Sequence, residues 1–374
     1  MPECIYLDHA ATTFPEEAVL LAMADVMRSV PFNASAAYSA AGEARRIHRQ
    51  CRRQLASMLS CDHTQLIFTS GGTEGNNQVV RSFAGQHVVL SAIEHASVLE
   101  AAKAAGCAIT LVMPDDTGWI SPKAVKRALR PETKLVCLMA ACNETGVIQP
   151  VDEVYSITKA QHIHLHVDAV QAFGHIPVSC RSCDSLSISA HKLYGPRGAG
   201  ALYIRGGTAV SPLLAGGGQE NGLRAGTENT PAICGFHVAA QMADEDMQPR
   251  SEREHLLMDT LWGELSSHVS GIRLLGEGRK RLPGVAAFLL PGVTSEETIA
   301  ALDLAGIMIS GGAACAAHSG TPSHVYTAMG LSPRDAARVI RVSIGRHTTA
   351  AQLHTAASAI AGFIRQRATQ STSR

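Results

Sequence analysis

Long apolar runs are missing from this 374-residue chain. No uncharged stretch reaches the roughly 20 residues a helix needs to span a bilayer, so no membrane partner is expected. An excess of one charge is missing too. With 32 basic and 32 acidic residues there is no general field for a polyanion, and nucleic acid is not expected as a direct partner. The opening residues MPECIYLDHAATTFP lack the basic and apolar pattern of a secretory signal, which points to a cytoplasmic protein. Ten cysteines lie at irregular spacing, which excludes a disulfide framework and implies reduced thiols. The one CxxC, Cys180 to Cys183, has no second pair, so no metal site is expected there. His162, His164 and His166 alternate along one predicted strand and share a face. Without ligands from another element they read as structural.

What the chain does have is apolar residues enough, at 46%, for a large core and two domains. The runs LIFTS, HVVLSA, AITLVMP, KLVCLMA, IHLHVD, SLSIS and GALYI alternate with helix-length segments, the pattern of parallel βαβ units. Helices are expected from about 15 to 30, from about 43 to 59 and from near Pro231. The second carries Arg45, Arg46, Arg49, Arg52 and Arg53, read as a solvated face. The charged stretch ADEDMQPRSEREH suggests a junction, and the sparser pattern beyond it a smaller α+β domain. The expected division is 14–249 as the large domain, with 1–13 and 250–374 as the small one. The tail QRATQSTSR is expected to fray.

Ligands of such sheets sit beyond the carboxyl ends of the strands. Ser70, His95, Asn143, Asp168 and Lys192 all fall at or just past such ends. Two of these positions, with the glycine turn that follows Ser70, belong to a recognisable chemistry. Lys192 follows a strand and precedes a glycine-rich turn, where desolvation can make a lysine a nucleophilic amine. Asp168 ends a strand, with Gln171 in the turn behind it. Gly71-Gly72-Thr73 joins a strand to a helix, and backbone amides at such a helix start cradle phosphate. A lysine, a carboxylate and a phosphate cradle are the three parts that pyridoxal 5'-phosphate requires: one for its aldehyde, one for its ring nitrogen and one for its phosphate. Alone, a lysine after a strand is usually just solvated, and a GGT turn often just caps a helix.

Three further residues have two readings each. His95, at a helix start, is either a cap or a group that stacks on the cofactor and moves protons. Arg341 stands among apolar residues on a predicted strand and needs an anionic partner, either a structural carboxylate or that of an amino-acid substrate. Cys315 lies in SGGAACAAHSGTPSH, a run of small residues with little to bury. It is either an ordinary thiol or a nucleophile on a mobile loop.

Taken together, FTSGGTEGNN, IEHASVLE, NETGVIQPV, HVDAVQ, SISAHK, GGGQENGLRAGTEN and PSHVYTAMG occur in the order found in one family. The chain resembles, over nearly its whole length, the cysteine desulfurases of the iron–sulfur-assembly and nitrogen-fixation type, within the class V aminotransferase group. The resemblance implies an α/β fold of the pyridoxal-phosphate-dependent transferase kind (aspartate-aminotransferase-like, fold type I), with a mainly parallel central sheet. It implies Lys192 as the Schiff-base lysine, Asp168 on the pyridine nitrogen and Gln171 on the ring hydroxyl. Gly72, Thr73, Ser189 and His191 resemble phosphate ligands, and His95 the stacking histidine. Thr227 resembles a threonine that reaches the partner subunit's phosphate, implying a homodimer. Asn143 and Arg341 resemble binders of the L-cysteine carboxylate, and Cys315 the persulfide carrier that feeds a sulfur-acceptor protein. The acceptor would belong to cluster assembly, tRNA thiolation or DNA phosphorothioation.

Several positions depart from the family pattern: Ala34, Tyr38, Cys142, Ala190 and Ala313 replace its usual residues. None is a cofactor ligand. Two other activities remain open at this point. A selenocysteine lyase, or another carbon–sulfur lyase, would keep its activity without Cys315. A non-catalytic scaffold-binding relative would lack the cofactor's absorbance.

Overall fold

The computed structural model describes residues 4–312 and 322–372. Seven strands build the main sheet: β1 (Leu66–Thr69), β2 (His87–Ser91), β3 (Ala108–Val112), β4 (Thr133–Cys137), β5 (His164–Asp168), β6 (Ser185–Ser189) and β7 (Gly200–Ile204), in the order β1-β7-β6-β5-β4-β2-β3. From β6 to β3 every pairing is parallel. Strands β4, β5 and β6 are buried along almost their whole length, as expected where helices cover both faces. At the edge, β3 leaves Leu111 half exposed.

One strand breaks the parallel pattern expected from the sequence. β7 runs antiparallel to both β6 and β1. The segment 190–199 that joins it to β6 is too short for a parallel crossover, which takes a dozen residues or more. Instead it folds as the tight turn that carries Lys192. Glycine makes this corner possible, because a Cβ on Gly200 would lie 2.6 Å from the Gly71 Cα.

Beyond the main sheet, β8 (Arg273–Leu274), β9 (Val285–Leu289) and β10 (Val339–Ser343) form a second, antiparallel sheet ordered β10-β9-β8. Ile5–Tyr6 pairs in parallel with Ile307–Met308. Helix Ser295–Leu304 starts on a capping box between Thr294 and Glu297. Helix Ala350–Thr372 continues through the tail that was expected to fray.

A 39-residue helix, Thr230–His268, joins the two sheets, and Pro249 lies inside it. Its first half packs Phe236 and Ala240 into the core of the main sheet. Its second half packs Met258, Leu261 and Leu265 against Phe288, Ile340 and Leu353. At the other end of the chain, Leu7 joins the smaller core and Ala10 the larger. We propose that the division at 249/250 coincides with this handover along the helix.

Candidate active site

The carboxyl ends of β2, β4, β5 and β6, together with the start of helix Gly72–Arg81, surround one cavity of about 240 Å³. Gly72, Thr73, His95, Asn143, Asp168, Gln171, Ser189, His191, Lys192 and Arg341 all line it. These are ten of the twelve site residues expected from sequence. The helix start can come this close because position 72 is glycine, where a Cβ would lie 2.3 Å from the Val170 side chain.

Lys192 ends the short turn Ala190–Lys192 that follows β6. Its Nζ donates to the carbonyl oxygens of Ala10, at 2.5 Å, and Ala11, at 2.8 Å. The N-terminal segment therefore aims the amine into the cavity. Asp168 is buried, accepting from the Val170 amide at Oδ1 (3.0 Å) and from Asn76 Nδ2 at Oδ2 (2.7 Å). Gln171 is also buried, and its Oε1 has no hydrogen-bond partner among the described residues. An orphaned acceptor in the wall of a polar cavity calls for a ligand that bears a donor.

His95 caps helix Ala96–Ala104, and its Nδ1 receives the Ser97 amide at 3.1 Å. An Nδ1 that accepts leaves the proton of the neutral ring on Nε2. Burial pulls the His95 pKa below its ordinary value, opposed by the nearby Asp168 carboxylate, so the neutral ring is favoured. Burial, with Lys192 and Arg197 adding to it, lowers His191 to about 4. Its Nδ1 lies 3.1 Å from Thr12 Oγ1.

Arg341 is 1% exposed, on β10. Nη2 donates to Asp8 Oδ1 at 2.6 Å and Nη1 to the Asn143 carbonyl at 3.0 Å, while Nε has no partner among the described residues. Its backbone pairs with Ser310, two residues before the last described position ahead of the segment 313–321. On the far side of that segment, Ser323 Oγ donates to buried Glu144 (2.9 Å), and His324 Nε2 bonds the Glu94 carbonyl (3.0 Å). Both flanks are thus anchored to residues adjoining the cavity wall. Cys315 itself lies outside the described residues.

The sequence profile described as aminotransferase class-V matches residues 5–355. The chain belongs to that family. It is 39% identical over 361 residues to the cysteine desulfurase IscS of Dictyoglomus turgidum, covering 94% of this chain and 92% of the relative. Among solved structures, it superposes on a NifS-like protein from Rickettsia africae with a TM-score of 0.90 at 29% identity, covering 97% of this chain and 100% of that one. SspA in complex with cysteine gives a TM-score of 0.82 at 32% identity, covering 92% and 100%.

In this class V aminotransferase, some residues sit elsewhere than the sequence suggested. Ser70 does not line the cavity; its amide donates to Glu74 (2.8 Å). Thr227, expected to serve the partner subunit's site, is exposed and does not line the cavity of its own chain, which leaves that expectation open. His162 is not on the strand with His164 and His166: it occupies a left-handed turn position before β5, at φ 55°. The arginines of helix Ala41–Leu59 are not all a solvated face. Arg52 makes a two-pronged bond to Glu220 and lies over the Phe68 ring, and Arg45 donates to the Ala34 and Ala36 carbonyls.

Sequence reasoning also missed four contributors: Asn76, Ser97 and the carbonyls of Ala10 and Ala11. Asn76 had a signal, since it stands one helical turn after Gly72 and so faces the same way. The carbonyls had none, because backbone acceptors carry no side-chain signature.

Proposed function

We propose that the chain is a pyridoxal-phosphate-dependent cysteine desulfurase that converts L-cysteine to L-alanine and carries the sulfur as a persulfide on Cys315. The observation that carries the reading is the convergence in one cavity of the Lys192 amine, the Asp168 carboxylate, neutral His95 and the helix start at Gly72. The residues suit the cofactor. Lys192 would hold its aldehyde carbon, Asp168 a proton on its ring nitrogen, and Gln171 its ring hydroxyl, which matches the orphaned Oε1. The amides of Gly72 and Thr73, with Ser189 and neutral His191, would hold its phosphate. Bound there, the cofactor supplies an electron sink for bond breaking in the amino acid.

Lys192 is the group that moves the α-proton, since its amine is aimed into the cavity. His95 carries its proton on Nε2 and serves as a flat neutral donor. Arg341 and Asn143, both in the cavity wall, orient the substrate carboxylate. Sulfur then passes to Cys315. The new S–S bond forms as the C–S bond breaks, the electron pair goes to the carbon skeleton, and the β-carbon gains a proton. Cysteine and a thiol become alanine and a persulfide, with no outside oxidant.

Two finer readings accompany this one. Leu20, Leu21 and Met27 on helix Glu17–Ser29, with Tyr38 beyond it, are exposed apolar residues on one stretch of chain, suited to covering by a second copy. A homodimer would also give exposed Thr227 a site to reach. The persulfide would then go to a sulfur-acceptor protein in the cytoplasm.

The test is a single turnover with the cofactor-loaded protein and L-cysteine. Alanine should appear together with one persulfide on Cys315. The variant C315S should keep the cofactor's absorbance and lose the persulfide and sulfide. Sulfide and alanine formed by C315S at the parent rate would overturn the desulfurase reading in favour of a lyase.

A further inference from the structure

Buried polar groups on β5 and β6 are not accounted for by cofactor or substrate contacts. His166 is completely buried. Its Nε2 lies 2.9 Å from Asn76 Oδ1, and its Nδ1 lies 2.8 Å from Ser185 Oγ. Ser185 Oγ is also 2.7 Å from His164 Nε2. At the other end, Asn76 Nδ2 reaches both Asp168 Oδ2, at 2.7 Å, and Ser97 Oγ, at 2.9 Å. Ser97 Oγ in turn lies 2.8 Å from His95 Nδ1.

The hydrogens in this network have one consistent arrangement. Asp168 is an acceptor, so the Asn76 amide must turn its NH2 toward it and its carbonyl toward His166. His166 must then donate from Nε2, and its Nδ1 must accept the Ser185 hydroxyl hydrogen. That hydroxyl, its hydrogen spent, accepts from His164 Nε2. On the other branch, the second Asn76 hydrogen goes to Ser97 Oγ, whose own hydrogen goes to His95 Nδ1. Every donor points toward the cavity. Burial keeps both histidines of the strand neutral, pulling His164 to about 4 and His166 to about 3.

We propose that His166 is a positioning residue: through Asn76 it fixes the orientation of the Asp168 carboxylate, while the Ser97 amide holds the tautomer of His95. The proposal rests on the reading that Asp168 and His95 face the cofactor ring. Its physical basis is that an unsatisfied group in a buried network is costly, so each member dictates its neighbour's orientation. Without a donor at 166, the Asn76 carbonyl would lose its partner, and the amide could turn over. A turned amide would set a carbonyl against the Asp168 carboxylate and leave the Ser97 hydroxyl free to bond elsewhere. His95 Nδ1 would still accept the Ser97 amide, so the change falls on Asp168. Glutamine can imitate the imidazole, with an amide hydrogen for Asn76 and a carbonyl for Ser185. Leucine can do neither.

The experiment has two readouts, one of which needs no cofactor. Nitrogen-15 NMR of the cofactor-free wild type should show His164, His166 and His95 all protonated on Nε2 alone. A proton on Nδ1 of His166 overturns the proposal outright, even if no variant folds. In H166L, affinity for pyridoxal phosphate should fall on the order of tenfold, as for loss of a bond to a charged group, while His95 keeps the tautomer that the Ser97 amide holds. H166Q should restore the affinity. A folded H166L with wild-type affinity would mean that His166 serves packing alone. Failure of the wild type to bind the cofactor would instead refute the proposed function, and the tautomer result would stand apart from it.

Discussion

Buried Arg341 and half-buried Asp8 form an ion pair across the chain, with Arg341 Nη2 donating to Asp8 Oδ1 at 2.6 Å. The sequence offered this arginine a structural carboxylate or a substrate carboxylate, and the fold provides the first while leaving room for the second. One edge of the guanidinium is committed to Asp8 and the Asn143 carbonyl. Nε has no partner among the described residues.

Arg341→Lys should separate the two roles. Lysine keeps the charge and loses the planar fork, so the Michaelis constant for cysteine should rise on the order of tenfold. Arg341→Ala, which strips Asp8 of its partner, should also cost about 3 kcal/mol in stability by denaturant unfolding. A Michaelis constant unchanged in both variants, with stability alone reduced, would confine Arg341 to the ion pair.

Glu94 gives a prediction in pH. Completely buried beside His95, it accepts from Ser91 Oγ (2.5 Å) and the Met139 amide (2.7 Å) through Oε1. Burial raises its pKa from 4.5 to about 8. The stability tied to its neutral form is therefore fully present below pH 4.5 and is lost as the pH rises through about 8. Glu94→Gln keeps the shape and cannot ionise. Its melting temperature should match the wild type near pH 4.5 and exceed it increasingly up to pH 8. Parallel curves over that window would show that Glu94 carries no such linkage.

The difference between what was legible in the sequence and what was not is one of range. Lys192, Asp168 and His95 could be placed because each follows an apolar strand, and strand ends in a doubly covered sheet converge. The clamp on Lys192 could not, since the Ala10 and Ala11 carbonyls lie 182 and 181 residues earlier in the chain. Arg52 looked solvated in isolation, and only the fold brings Glu220 and Phe68 to it. His164 and His166 were read as structural from their alternation on one strand. Their link to Asp168 through Asn76 required knowing which helix covers β5.

The homodimer predicts complementation. If Thr227 serves the partner's phosphate site, mixing K192A with T227A chains creates a heterodimer with one intact site and one doubly damaged site. Random exchange should then restore about a quarter of wild-type sites. Confirmed subunit exchange with no recovery would argue that each chain builds its site alone.

The account's central claim is that the cavity around Lys192 holds the cofactor through that amine. The direct measurement is borohydride reduction of the cofactor-loaded protein, followed by digestion and mass mapping of the pyridoxyl adduct. The account predicts one adduct, on the Lys192 peptide, absent from K192A. An adduct on Lys134 or Lys159 instead would contradict it.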